Sequence, residues 1–184
     1  MTTSTRLTLE EFLAMPDIDE RRLELIDGEV YEKMSPTWDH GELTIVLGEL
    51  LRKAGRAAAE PRAIIPPSPD RRGSSPLPDL AFYRSGRPGP REWMESPPDL
   101  AVEILSPKQS RIEMRGKVDV YRAFGVPVVW VFDLERRSVD IYEHTEGEAG
   151  RRYTVSGDED VTASTVPGFR YSVEYLLREA GIQS

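Results

Sequence analysis

The middle of this chain constrains the fold more than any other part. Two short apolar runs, 79-DLAFY-83 and 99-DLAVEIL-105, precede a helical stretch over 110–124 and a strongly β-prone run, 127-PVVWVFDL-134. The order is therefore strand, strand, helix, strand, which predicts a mixed α/β fold around a central sheet. One residue in the second run looks out of place. Leu100, Val102, Ile104 and Leu105 read as a buried strand, yet Glu103 sits among them. Its period-2 neighbours Ala101 and Leu105 are apolar too, so Glu103 faces inward. An ionised carboxylate in apolar surroundings costs several kcal/mol unless something pairs with it.

The flanking segments fit the same plan. Thr8-Leu-Glu-Glu11 is a capping box that predicts a short helix through Met15. The segment 22-RLELIDGEVYEKMS-35 alternates on both sides of Asp27-Gly28, a strong hairpin signal. Leu43, Val46, Leu47, Leu50 and Leu51 recur at helical spacing, predicting a helix from Trp38 to Arg56. A short strand is expected over 59–65, then two Gly/Pro-broken loops, 66–78 and 84–98. In the helix over 110–124, Ile112, Val118, Tyr121 and Phe124 are core candidates. Residues 138–143 and 151–155 extend the sheet, and a helix from Tyr171 to Ala180 closes the chain. A chain of 184 residues with this pattern is expected to form one domain.

Composition narrows the chemistry. With no cysteine, thiolate catalysis and cysteine-bound zinc are excluded, and two histidines, His40 and His144, do not make a histidine-rich metal site. A metal here would be a hard, oxygen-liganded ion. No apolar run is long enough to span a membrane and no signal-peptide core follows Met1, so a cytoplasmic protein is expected. The net charge of −8 resides in residues 1–50, where twelve acidic side chains face four basic ones. Six arginines between Pro61 and Arg91 give local basic surface, but charge alone does not point to nucleic acid.

Three residues of the middle block form a chemical kit. Asp79 opens one strand, Glu103 lies in the next, and Lys117 lies on the following helix. Two carboxylates on neighbouring strands can hold Mg²⁺, with Mn²⁺ as substitute, and leave positions for water and a phosphate oxygen. A nearby lysine can orient water and stabilise developing negative charge. Structural readings stand beside this one: Asp79 as a turn residue after Pro78, and Lys117 as a solvated helix lysine.

The stretches 24-ELIDGEV-30, 35-SPTWDH-40, 78-PDLAFY-83, 99-DLAVEILSP-107 and 117-KVDVYRAFGVPVVWVFD-133 resemble, in order, the Uma-two family of restriction endonucleases in the PD-(D/E)xK nuclease superfamily. The resemblance covers about Leu7 to Leu177. It implies a restriction-endonuclease-like core, a sheet flanked by helices, with Asp79 and Glu103 as the two metal-binding acids. The superfamily lysine usually stands two residues after the second acid, where this chain has Leu105; the resemblance implies Lys117 in its place, with Lys108 as runner-up. It also makes Glu24 a candidate further ligand or orienter of metal-bound water, and His40 a candidate phosphate contact. Lys108, Arg111 and Arg115 form a candidate phosphate-facing edge. Where relatives commonly carry an acidic and an aromatic residue after Gly-Val-Pro, this chain reads Val128-Val129-Trp130, a more apolar strand. The expected function is Mg²⁺-dependent DNA endonuclease, with specificity from loops 66–78 and 84–98, a partner or a homo-oligomer, most simply a dimer. A catalytically inactive binding or assembly module on the same fold is the alternative.

Overall fold

The structure, a computed structural model, describes residues 6–86, 93–106, 111–144 and 150–183, with the backbone alone for Arg111. Thr8 accepts from the Glu11 amide and Glu11 reaches back to the Thr8 amide, so the capping box starts helix α1, Leu9–Leu13. Strands β1, Leu23–Ile26, and β2, Glu29–Glu32, pair antiparallel around Asp27 and Gly28, whose φ values of 49° and 87° suit the tight turn. Beyond the turn, the amide of Leu25 meets the carbonyl of Ser75 and the amide of Ser75 meets the carbonyl of Leu25, which stitches the hairpin onto residues 73–78.

Helix α2, Trp38–Arg52, is capped by Thr37 and buries Leu43, Leu47 and Leu51. It ends four residues before the expected Arg56. Gly55 lies just beyond, where a Cβ would come 2.5 Å from the Tyr83 carbonyl oxygen, so glycine is what lets the chain pass this close to the sheet. The strand expected over 59–65 lies earlier, as β3, Arg56–Ala59, and only isolated bridges at Ala63 and Ile65 follow. Strands β4, Leu80–Tyr83, and β5, Leu100–Ile104, come next, followed by helix α3, Arg111–Phe124. The remaining strands of the main sheet are β6, Val128–Asp133, β7, Ser138–Glu143, and β8, Arg151–Ser156. A two-residue pair, β9, Asp160–Val161, and β10, Tyr171–Ser172, precedes helix α4, Val173–Glu179, which starts two residues later than expected.

The main sheet has the order β3-β4-β5-β6-β7-β8. Only β5 and β6 run parallel, with α3 as the crossover between them. Its two faces divide by residue parity. Leu80, Phe82, Leu100, Val102, Ile104, Trp130 and Phe132 pack with α2 and α4 in the largest core cluster. On the opposite face Ala101, Val129 and Val131 pack under Met114, Val118 and Tyr121 of α3. Ile112, a core candidate by spacing, is 81% exposed in the first turn of α3. The loop 66–78 is not loose throughout, because Gly73 to Pro78 are buried beneath the hairpin. Among the described residues no helix is long and apolar enough to cross a membrane. The architecture is restriction-endonuclease-like: a central mixed sheet flanked by helices, with an N-terminal helix and hairpin.

Candidate active site

Parity puts the two odd carboxylates on the same face of the sheet. Asp79 shares its side with Ala81 and Tyr83, and Glu103 with Ala101. The β4–β5 register pairs Leu80 with Val102, so one further step sets Asp79 across from Glu103. The amide of Ile104 donates to Asp79 Oδ2 at 2.6 Å, fixing that carboxylate against β5. Above this face, Met114, Lys117, Val118 and Tyr121 follow one another at helical spacing along α3 and are all buried. Lys117 Nζ lies 2.8 Å from Glu103 Oε1 and 2.8 Å from Glu24 Oε1. Tyr121 donates its hydroxyl to Glu103 Oε1 at 2.5 Å.

The hairpin supplies the other wall. Glu24 on β1 accepts from the Leu77 amide at 2.6 Å, while Lys33, just beyond β2, donates to the Leu77 carbonyl at 2.7 Å. Lys33 Nζ also lies 2.7 Å from Asp79 Oδ1. His40, in the first turn of α2, brings Nε2 to 3.2 Å from the same oxygen. A cavity of about 200 Å³ opens here, lined by these side chains together with Ile26, Tyr31 and Glu113 among others.

Of the residues singled out in the sequence, Asp79, Glu103, Lys117, Glu24 and His40 therefore meet at one cavity. Arg115 does not; it lines a separate hollow between α3 and the β7–β8 pair, with Arg122 and Arg152. Lys108 and the Arg111 side chain lie outside the described residues. Sequence reading missed Lys33, and it took Tyr121 for core alone. Alternation did not mark Lys33: Glu29, Tyr31 and Lys33 share the less exposed side of the hairpin, while apolar Val30 lies on the exposed one.

The charges of the cluster explain its electrostatics. Burial pushes the Asp79 carboxyl up, but Lys33, His40 and Lys117 outweigh it and hold the group well below the usual carboxylate range. Glu103 goes the other way. Burial, with Asp79 and Glu24 adding to the rise, outweighs the pull of Lys117 and Lys33 and leaves it raised to about 7. Burial alone would lower Lys117, but Glu103, Glu24 and Asp79 hold its ammonium above the usual lysine range. Both directions suit a cluster of three carboxylates and two ammonium groups, which is one positive charge short of balance and so favours retaining a proton.

The donor set suits a hard divalent ion. Asp79 Oδ1 and Lys117 Nζ are buried and, although held at ion-pair distance, have no well-aligned hydrogen-bond partner. No group of three or more acidic or histidine side chains is gathered for a metal among the described residues. Asp79 and Glu103 are the two carboxylates that could hold such an ion, with water for the rest of its shell.

A mixed sheet crossed by α3, with two acids on adjacent strands of one face, defines the class as nuclease-superfamily fold, and comparison agrees. The chain belongs to the Uma2 family, described as "Putative restriction endonuclease", whose profile matches residues 9–174. The family falls in the PD-(D/E)xK-like nuclease superfamily. A solved structure, "a putative nuclease belonging to DUF820" from Anabaena variabilis, is similar at a TM-score of 0.80 and 22% identity. It covers 95% of this chain and 99% of its own. At that identity the likeness speaks for the fold alone. No protein with a curated description matches the chain.

Proposed function

We propose that this chain is a Mg²⁺-dependent endonuclease that hydrolyses DNA phosphodiester bonds, with Mn²⁺ able to substitute. One observation carries the reading: Asp79 and Glu103 stand side by side on one sheet face, at a cavity that also receives Lys117. In this reading the two carboxylates hold the ion, which when bound acidifies water and stabilises charge on the scissile phosphate. Glu24 positions Lys117 through its 2.8 Å contact. Lys117 is held protonated by its acidic neighbours, so its part is to orient the attacking water and to neutralise developing negative charge, not to act as a base. Hydrolysis forms a bond from the water oxygen to phosphorus and breaks the bond to the leaving sugar oxygen, which takes up a proton. The cytoplasm and a homodimer are the proposed setting, and light scattering of the purified protein tests the second.

The alternative, a non-catalytic binding module, has one observation in its favour: Lys33 and Lys117 already neutralise much of the acidic cluster. Incubation of plasmid and single-stranded DNA with the parent, Glu103→Ala and Lys117→Ala in Mn²⁺ separates the two. Cleavage by the parent and its loss in both variants is the expected outcome. A parent that cuts neither substrate and binds no metal overturns the nuclease reading.

A further inference from the structure

Lys33 has no part in the chemistry set out above, and its surroundings are unusual for a lysine. Its side chain is only 10% exposed, its ammonium lies 2.7 Å from Asp79 Oδ1, and the Leu77 carbonyl accepts from it at 2.7 Å. A second carboxylate waits on the far side: Glu60 Oε1 is 3.4 Å away, on a side chain 38% exposed and already paired with Arg22. Arg22 is held in turn by the Met34 carbonyl at 2.9 Å. The ammonium thus lies between an inner acid that faces the cavity and an outer acid that leads toward solvent.

We propose that Lys33 is the resident counter-cation of Asp79, a positioning residue that holds this carboxylate in place in the metal-free protein and yields it to an incoming divalent ion by shifting toward Glu60. The proposal rests on the metal-dependent reading of the site and goes beyond it, because it assigns a competitor for the metal and a place for that competitor to go. The physical basis is direct. A buried carboxylate needs a partner, and a unit positive charge at 2.7 Å supplies one. The same charge repels a second cation at that oxygen, so occupancy by Lys33 and by metal are alternatives. The path between them is short, because Glu60 already stands 3.4 Å from Lys33 Nζ. Lys117 has no such exit: both of its carboxylates belong to the buried cluster.

Calorimetric titration with Mn²⁺ alone, paired with thermal unfolding in chelator, tests this on the parent, Lys33→Gln, Glu60→Gln and Asp79→Asn. Lys33→Gln is expected to bind Mn²⁺ about tenfold more tightly, since a positive charge next to the ion is gone. Its melting point without metal should nevertheless fall. A lysine with a purely structural role would produce the fall without the tighter binding. Glu60→Gln removes the outer seat and is expected to weaken Mn²⁺ binding about threefold. Unchanged or weaker binding by Lys33→Gln overturns the proposal. If that variant does not fold, Glu60→Gln decides, and binding equal to the parent's overturns it. A parent that binds Mn²⁺ through Asp79, with neither variant altered, sinks the role of Lys33 alone. Absence of Asp79-dependent binding in all of the proteins sinks the metal reading with it.

Discussion

Replacing Lys117 by Met keeps most of the side-chain volume and removes one buried charge. The structure sets the size of the effect. Lys117 Nζ stands 2.8 Å from both Glu24 and Glu103, and none of the three side chains is more than 4% exposed. Removing one partner of a buried ion pair costs about 3–5 kcal/mol, because the remaining charge is left in poor solvent. Glu103 can relieve part of that cost by holding a proton, which gives the variant a pH signature. In the parent this carboxyl is already pushed up to about 7 from an ordinary 4.5. A folded pKa above the unfolded one means that stability is fully present below about 4.5 and drains away as pH rises toward the folded value. Without Lys117 the folded value moves higher still, so the drain continues above pH 7 where the parent's has ended. The gap between Lys117→Met and the parent should therefore widen from pH 7 to pH 8, by up to about 1.4 kcal/mol. Urea unfolding at pH 6, 7 and 8 measures it, and the double variant with Glu103→Gln should lose the widening. A gap that closes as pH rises, or a variant as stable as the parent throughout, would refute the buried-triad account.

Asp79→Asn should abolish any rise in melting temperature that Mn²⁺ gives the parent, as differential scanning fluorimetry would show. In the parent the folded pKa of Asp79 is depressed, so its contribution is present above the ordinary value of 3.8 and lost as pH falls below it; acid unfolding of Asp79→Asn should be correspondingly less steep. Tyr121→Phe removes the hydroxyl that donates to Glu103 and should cost about 1–3 kcal/mol in urea unfolding while keeping the ring's packing against Ala101, Val129 and Val131. Gly55→Ala drives a Cβ to within 2.5 Å of the Tyr83 carbonyl and 2.8 Å of the Phe82 ring, so a loss of about 1–3 kcal/mol is expected from the same measurement.

Local patterns carried a large part of this structure into the sequence. The capping box, the Asp27-Gly28 turn and the apolar run through Val128 to Phe132 each act over a few residues and can be read without tertiary knowledge. The inward direction of Glu103 was legible too, because Ala101 and Leu105 flank it at period two. What the sequence hides depends on segments meeting from far apart. Lys33 looks like any exposed hairpin lysine until residues 73–78 pack against the hairpin and the Leu77 peptide holds both Glu24 and Lys33. Helical spacing marked Ile112 for the core, but α3 puts it in an exposed first turn. The end of α2 at Arg52 has no breaker at Lys53, and the close passage of Gly55 beside Tyr83 is visible only once the sheet is in place.

Lys117 reaches the cluster from helix α3, and the packing around it shows how. Position 105, two residues after Glu103, points to the same side of the sheet, where Leu105 packs against the apolar cluster of Met114, Val118 and Val131. Leu105 also lines a small hollow with Arg115, Asp140 and Arg152, separate from the cavity that holds Glu103 and Lys117. The parallel step from β5 to β6 requires a crossover, and α3 makes it directly above Glu103. A residue one turn beyond Met114 on that helix already faces the carboxylate, so Lys117 reaches Glu103 from above. Glu24, brought by the hairpin, neutralises the far side of the ammonium. The hairpin is then as necessary to the cluster as the sheet: it supplies the acid that steadies Lys117 and, through Lys33, the cation that steadies Asp79.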